Sequence, residues 1–225
     1  MFSDRYIALE GLDTSGKTTA SRKLKKTIES IYDEEVIVVN EPSYHSEEAL
    51  AIRNELLNNP DLTKEQQLEL FIKQRLLVMN DIVIPALKAG KIVISERCFI
   101  TSMVYQSDES FGMQRILDLN LEALEQFNGL AIPSIVFLQE NSHKVFLERS
   151  VERNLDVLEK PLADPAFFAK QADKYHAALQ FAKYFIPDFN YEMYHDLPKA
   201  LNYIHRKLGG SWKRKEESPI LEAQA

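Results

Sequence analysis

Residues 11–18 read Gly-Leu-Asp-Thr-Ser-Gly-Lys-Thr, and that octapeptide restricts the chain's folding options more than any other stretch. Two glycines enclosing four residues, followed by Lys17 and Thr18, match the G-x-x-x-x-G-K-[ST] phosphate-binding loop, or P-loop. Composition alone would produce the pattern in roughly one chain per hundred of this length. The flanks are also right: an apolar, strand-like run ends at Glu10 and a helical stretch begins at Thr18. The glycines let backbone N–H groups turn inward around phosphate oxygens, and the helix N-terminus adds positive potential. Lys17 then reaches the β- and γ-phosphates, and the Thr18 hydroxyl is placed to ligate magnesium. Gly11, Asp13, Thr14, Ser15, Gly16, Lys17, Thr18 and Thr19 are therefore the expected contacts of ATP with Mg2+. Asp13 keeps two readings: a carboxylate aimed at an acceptor sugar or the metal shell, or a residue that simply favours the turn.

Short runs rich in Val, Ile and Phe read as buried strands at 5–10, 35–40, 91–96 and 133–138, with a weaker one at 190–194. Helical stretches at 18–32, 64–88, 114–127, 141–153, 165–185 and 197–208 fall between and after them. This alternation predicts a three-layer α/β P-loop NTPase fold, a five-stranded parallel sheet with helices on both faces and a short lid. With no internal repeat and no Ser/Gly linker, one domain over 1–209 is expected. Residues 210–225 form a polar tail, read as frayed, in which Trp212 either docks on the body or does nothing, the second being the expectation.

A formal net charge of −7 argues against a nucleic-acid backbone as partner, because such proteins usually present a basic face. The single cysteine, Cys98, excludes an intramolecular disulfide or a cysteine-built zinc site and fits a reducing cytosol. The first residues lack a leader-like apolar run, and no run approaches membrane-spanning length. A cytosolic enzyme with a small-molecule acceptor is the expectation.

Beyond the loop, the strand at 91–96 ends in Glu96-Arg97, at the sheet edge where ligands of open parallel sheets bind. Glu96 is placed for magnesium and Arg97 for phosphates; the plainer alternative is a surface ion pair. Glu41-Pro42 ends the second strand, and strictly implies no more than a turn. Arg149 and Arg153, four apart, share a helix face ahead of a loop at 154–164, as a lid carrying phosphate-neutralising arginines would require. A solvated helix face is the alternative. Phe71 and Arg75 also share a face, and taken alone such a Phe is more often core.

Together these pieces resemble the thymidylate kinase family of nucleoside monophosphate kinases, over about residues 5–208 and in consistent order. Residues 7–19 look like its opening strand and P-loop, and Glu41-Pro42 occupies its Glu-Pro-Gly turn. Phe71-Ile-Lys-Gln-Arg75 has the spacing of its base-stacking phenylalanine and acceptor-phosphate arginine. Residues 84–97 resemble the helix running into its Asp-Arg strand end. Thr101-Ser102-Met-Val-Tyr105-Gln106 parallels the segment lining acceptor base and sugar. Arg149 and Arg153 fall at its lid arginines, and Phe167-Phe168 with Tyr175 resembles its post-lid helix. Departures occur at Asn40, Ser43-Tyr44-His45, Glu96, Cys98 and Asp156-Val157, and they admit a divergent or broader deoxynucleotide kinase.

The resemblance implies transfer of the ATP γ-phosphate to dTMP or a related deoxynucleoside monophosphate. Lys17, Arg97, Arg149 and Arg153 would neutralise phosphates and Arg75 would hold the acceptor phosphate. Phe71 would stack on the base, Gln106 and Ser102 would read its edge, and Asp13 and Tyr105 would flank the sugar. The family is usually dimeric, which allows a homodimer, although no periodicity marks a seam. Two rivals stand beside this reading: a deoxynucleoside kinase with Glu41 as general base for a 5′-hydroxyl, and a nucleotide-binding switch without acceptor turnover.

Overall fold

The computed structural model describes residues 3–151 and 153–215; the rest of the expected tail, 216–225, lies outside the described residues. Five strands form one sheet: β1 (Tyr6–Glu10), β2 (Val36–Asn40), β3 (Ile92–Glu96), β4 (Ile135–Leu138) and β5 (Tyr191–Met193). Every pairing is parallel and the order is β2-β3-β1-β4-β5. β1 is central and buried along its whole length, as the continuous apolar run requires of a strand covered on both faces. The chain leaves β1 for β2 on one side and later places β4 on the other. The crevice at the carboxyl end of β1 is therefore the switch point of the sheet. Register aligns the strand ends there, with Leu9 and Asn40 both opposite Glu96 and Glu10 opposite Leu138.

Period-two alternation divides the core into two layers. Ile7, Leu9, Ile92, Ile94, Ile135 and Phe137 face a cluster completed by α1 (Lys17–Ile31) and, near the C-terminus, α9 (Leu197–Lys207). Tyr6, Ala8, Val93, Val136 and Leu138 face the larger cluster. That second layer is built from α3 (Lys64–Val78), α4 (Ile84–Lys88), α5 (Phe99–Tyr105), α6 (Met113–Leu124) and α8 (Pro165–Phe185). The two remaining helices are α2 (Glu47–Asn58) and α7 (His143–Ser150).

Three departures from the sequence expectation have local causes. The single helix expected over 64–88 is interrupted by a π-helical turn at Met79–Val83. Pro85 supplies no N–H and its ring crowds the carbonyl four residues back, and a widened turn just ahead of it accommodates both defects without breaking the rod. α2 was not anticipated, because only Ala49, Ile52 and Leu56 are buried on it. Its signal lies in Ser46, whose side chain accepts from Ala49 N at 3.2 Å, and in Glu47 and Glu48 in the first turn. α5 escaped notice for the opposite reason: all seven of its residues are buried, so it carries no amphipathic period.

The C-terminal segment is docked as far as it is described. Trp212 is 4% exposed, meets Tyr32 edge-on at 5.2 Å and donates from Nε1 to Asp4 O at 3.2 Å. Backbone bonds from Asp33 N to Lys213 O and from Lys215 N to Ile31 O continue the attachment. Trp212, expected to be idle, closes the layer formed by α1 and α9.

Candidate active site

The P-loop spans the end of β1 and the start of α1. Gly11 has φ +140° and Gly16 φ +101°, and a Cβ on Gly11 would stand 2.0 Å from the Gln139 carbonyl oxygen. Only glycine permits both the left-handed backbone and the close approach. No side chain caps the N-terminus of α1, so its first N–H groups remain available to an anion. Lys17 folds back over the loop, donating from Nζ to Gly11 O at 2.9 Å and Leu12 O at 2.8 Å. Burial, helped by the neighbouring Arg97, lowers its pKa to about 7 against the opposing pull of Asp13, Glu10 and Glu96.

Arg97 stands at the end of β3 with φ +84°, a conformation costly for a side chain of this size. The strain is held by surrounding bonds. Its N–H donates to Leu9 O at 2.8 Å. Nη1 donates to Gly11 O at 3.0 Å, Thr101 Oγ1 at 3.2 Å and Tyr175 OH at 2.9 Å, while Nη2 meets Asp13 Oδ1 at 2.5 Å. Behind this group the buried Glu10 carboxylate accepts from Cys98 N at 2.8 Å, Thr101 N at 3.1 Å and Thr101 Oγ1 at 2.6 Å. Burial tends to raise the Asp13 carboxyl, but Arg97 and Lys17 outweigh it and hold the group below its usual range. Tyr105 OH donates to the other Asp13 oxygen at 3.3 Å. Glu10 escaped the sequence reading, and Tyr175 was named there only as part of the post-lid helix; a carboxylate closing an apolar strand was the available sign of the first.

Thr18 Oγ1 donates to Glu96 Oε2 at 2.5 Å, and Ser21 Oγ donates to Glu96 Oε1 at 2.6 Å. Strands β1 and β3 thus bring the expected metal-binding hydroxyl and carboxylate into contact. An all-oxygen pair at the foot of the loop suits a hard divalent cation such as magnesium.

The segment after α7 that was expected to form a lid lies against the body. Leu162 is fully buried in a 3₁₀ turn at Lys160–Ala163, Leu158 packs on Ile52, Leu56 and Phe71, and Val157 N donates to Leu57 O at 3.2 Å. α7 ends at Ser150, so Arg153 belongs to the following loop and the two arginines do not share a helix face as expected. They still converge. Arg149 Nη1 donates to Thr14 O at 2.7 Å, and Arg153 Nη2 pairs with the buried Glu159 at 2.6 Å.

One cavity of about 830 Å3 joins these groups. Lys17, Thr18, Glu96, Arg97, Arg149 and Arg153 line it together with Phe71, Glu41 and Tyr105. Phe71 is both core and cavity wall, 3% exposed with Ile52 and Leu56 at its back. Arg75 is placed differently from the expectation, outside the cavity lining. Its Nε donates to Glu41 Oε2 at 2.8 Å, Nη1 donates to Asn120 Oδ1 and Nη2 lies 3.5 Å from Ser102 Oγ. Ser102 and Gln106, expected to read the base edge, are likewise buried and outside the cavity lining. Burial raises the Glu41 pKa against the pull of Arg75. The cation that does line the cavity beside Glu41 and Pro42 is Arg53 of α2, which the sequence reading missed along with its helix.

A P-loop at the switch point of a parallel sheet, faced by cations from three other segments, is the architecture of a P-loop phosphotransferase. Within that class the match is specific: the family model for thymidylate kinase covers residues 9–194, and the chain belongs to the thymidylate kinase family. It is 32% identical over 157 residues to a thymidylate kinase of Thermosipho africanus, covering 69% of this chain and 75% of that protein. It is 33% identical over 149 residues to one from Wolbachia pipientis wMel, covering 66% and 74%. A third, from Maridesulfovibrio salexigens, is 31% identical over 177 residues, covering 76% of each. Among the described residues no helix is long and apolar enough to cross a membrane.

Proposed function

We propose that this protein transfers the γ-phosphate of ATP to the 5′-phosphate of dTMP, giving the diphosphate. The observation that carries the reading is a cavity lined by the P-loop, by Arg97, Arg149 and Arg153, and by Phe71 and Tyr105. The P-loop amides and Lys17 would bind the ATP phosphates. Thr18 and Glu96 would hold Mg2+, which would supply positive charge to offset that of the ATP phosphates.

The second pKa of a phosphate monoester is near 6, so the acceptor is already mostly dianionic at neutral pH. Positioning and charge neutralisation therefore suffice, and no strong general base is required. Arg97, fixed by Asp13, would lie between donor and acceptor phosphates. Arg149 and Arg153 would close over the transferring group. Arg53 is the cavity-lining cation beside the acceptor phosphate in this reading. Arg75, already bonded to Glu41 and Asn120, would complete the wall behind the base, with Phe71 stacking on its face. Asp13 and Tyr105 would border the sugar. The match of the thymidylate kinase family model over residues 9–194 weighs against the deoxynucleoside kinase rival.

The test presents thymidine and dTMP side by side with ATP and magnesium and measures ADP formed. dTMP is expected to be turned over faster. Faster turnover of thymidine would overturn the assignment.

A further inference from the structure

A capping box in the segment after α7 holds Arg153 at the cavity. Asp156 Oδ1 accepts from Leu158 N at 2.8 Å and from Glu159 N at 2.9 Å. Glu159 answers with Oε2, which accepts from Asp156 N at 3.3 Å. Each residue satisfies the other's backbone donor, the reciprocal arrangement that starts a helical turn, here the 3₁₀ turn at Lys160–Ala163. The turn is anchored to the body by the bond from Val157 N to Leu57 O and by Leu158 packing on Phe71. One carboxylate oxygen remains. Glu159 Oε1 accepts from Arg153 Nη2 at 2.6 Å, and both residues line the cavity.

Both members of the pair depend on it. Glu159 is 4% exposed, and burial with the neighbouring Asp13 and Asp156 raises its carboxyl above the usual range against the pull of Arg153. A buried carboxylate near other acids is tolerated when a cation pairs with it. Arg153 gains a fixed position. α7 has ended at Ser150, the Arg153 side chain is 45% exposed, and ordering a loose arginine costs rotamer freedom. Among the described residues, Nη2 is the only guanidinium nitrogen of Arg153 with a hydrogen-bond partner. Nε and Nη1 keep their donors for an anion.

We infer that Glu159 is a positioning residue for phosphoryl transfer: by gripping one nitrogen of Arg153, it aims the remaining N–H donors at the transferring group. The inference rests on the proposed function for the phosphates that Arg153 meets. A guanidinium held in place before the phosphates arrive stabilises the transition state more than one that must be ordered during the step. Coulomb attraction alone gives the opposite expectation, since removing an acid beside the phosphates would strengthen their binding and speed the reaction.

Steady-state kinetics separate these on four proteins: wild type, Glu159→Gln, Arg153→Ala and the double variant, each with ATP and with dTMP or thymidine as acceptor. Gln serves in a capping box as Glu does, but it carries no charge and only one acceptor oxygen. Urea unfolding of each protein gives the folded fraction to which its rate refers. Glu159→Gln is expected to lower kcat about tenfold, while KM for ATP and for acceptor stays within about threefold. In the Arg153→Ala background the same substitution should change kcat by less than about twofold. An unchanged or raised kcat in Glu159→Gln would overturn the proposal. So would an equal loss in both backgrounds, the mark of a residue that only stabilises the turn. If Glu159→Gln does not fold, Glu159→Asp, one methylene shorter, carries the same comparison. Turnover of thymidine alone would instead overturn the dTMP assignment, with the effect of Glu159 still read on the acceptor that the wild type uses.

Discussion

Arg97 and Asp13 meet at 2.5 Å although one closes strand β3 and the other lies inside the P-loop. The contact ties the principal cation of the cavity to the loop that cradles phosphate. The same carboxylate accepts from Tyr105, so a single side chain links the P-loop, Arg97 and Tyr105. Asp13→Ala is expected to lower kcat/KM for dTMP by about a hundredfold, the scale of losing a positioned charge in a water-poor site. Initial rates at varied dTMP check this. A loss below threefold would show that Arg97 is held well enough by Gly11 and Tyr175.

Arg149 reaches the loop from α7, donating to Thr14 O. Arginines that neutralise a transferring phosphoryl group act on the transition state. Arg149→Ala should therefore reduce kcat by about a hundredfold or more while the KM for dTMP changes little. A rise in KM at constant kcat would assign Arg149 to ground-state binding.

Lys17 gives a pH signature. Its pKa in the free protein is lowered to about 7, so at pH 8 most of it is neutral. Anionic phosphates favour the charged form, so ATP binding at pH 8 should draw a proton onto Lys17. The uptake should shrink as pH falls below 7, where the free protein already carries the charge. Calorimetry in buffers of different ionisation enthalpy measures this directly, and Lys17→Ala should abolish it. Proton release at pH 8 would contradict the assignment.

Trp212 offers a test away from the cavity. It is nearly fully buried between the sheet-facing layer and Tyr32. Trp212→Ala should cost about 3 kcal/mol of unfolding free energy, as for other large-to-small core changes, with kcat for dTMP unchanged. Urea unfolding monitored by far-UV circular dichroism reads the first and steady-state rates the second.

Much of the fold was legible because its causes are local in the chain. The five apolar runs became the five strands within a residue or two at each end, and the octapeptide at 11–18 became the loop its glycines demand. The long helix at 165–185 was bounded by its own signals, an Asp164 side chain capping Phe167 N and Pro165 in the first turn. α5 was illegible because a helix buried on every side has no polar face to mark its period. The acceptor side was legible only in part: helical spacing paired Phe71 with Arg75 and the family resemblance named Gln106, but neither foretold that Arg75 would bond Glu41 and Asn120.

By itself, then, the sequence determined a phosphate loop, the sheet that carries it, and a set of cations in family-like order. Tertiary structure alone decided which cations face the cavity. Arg97 is bonded to residues 84 and 78 positions away, and Arg75 is turned into the wall by Glu41 and Asn120. Such pairings depend on which strands lie side by side and how deeply each guanidinium is buried. Neither quantity is carried by the residues next to it in the chain.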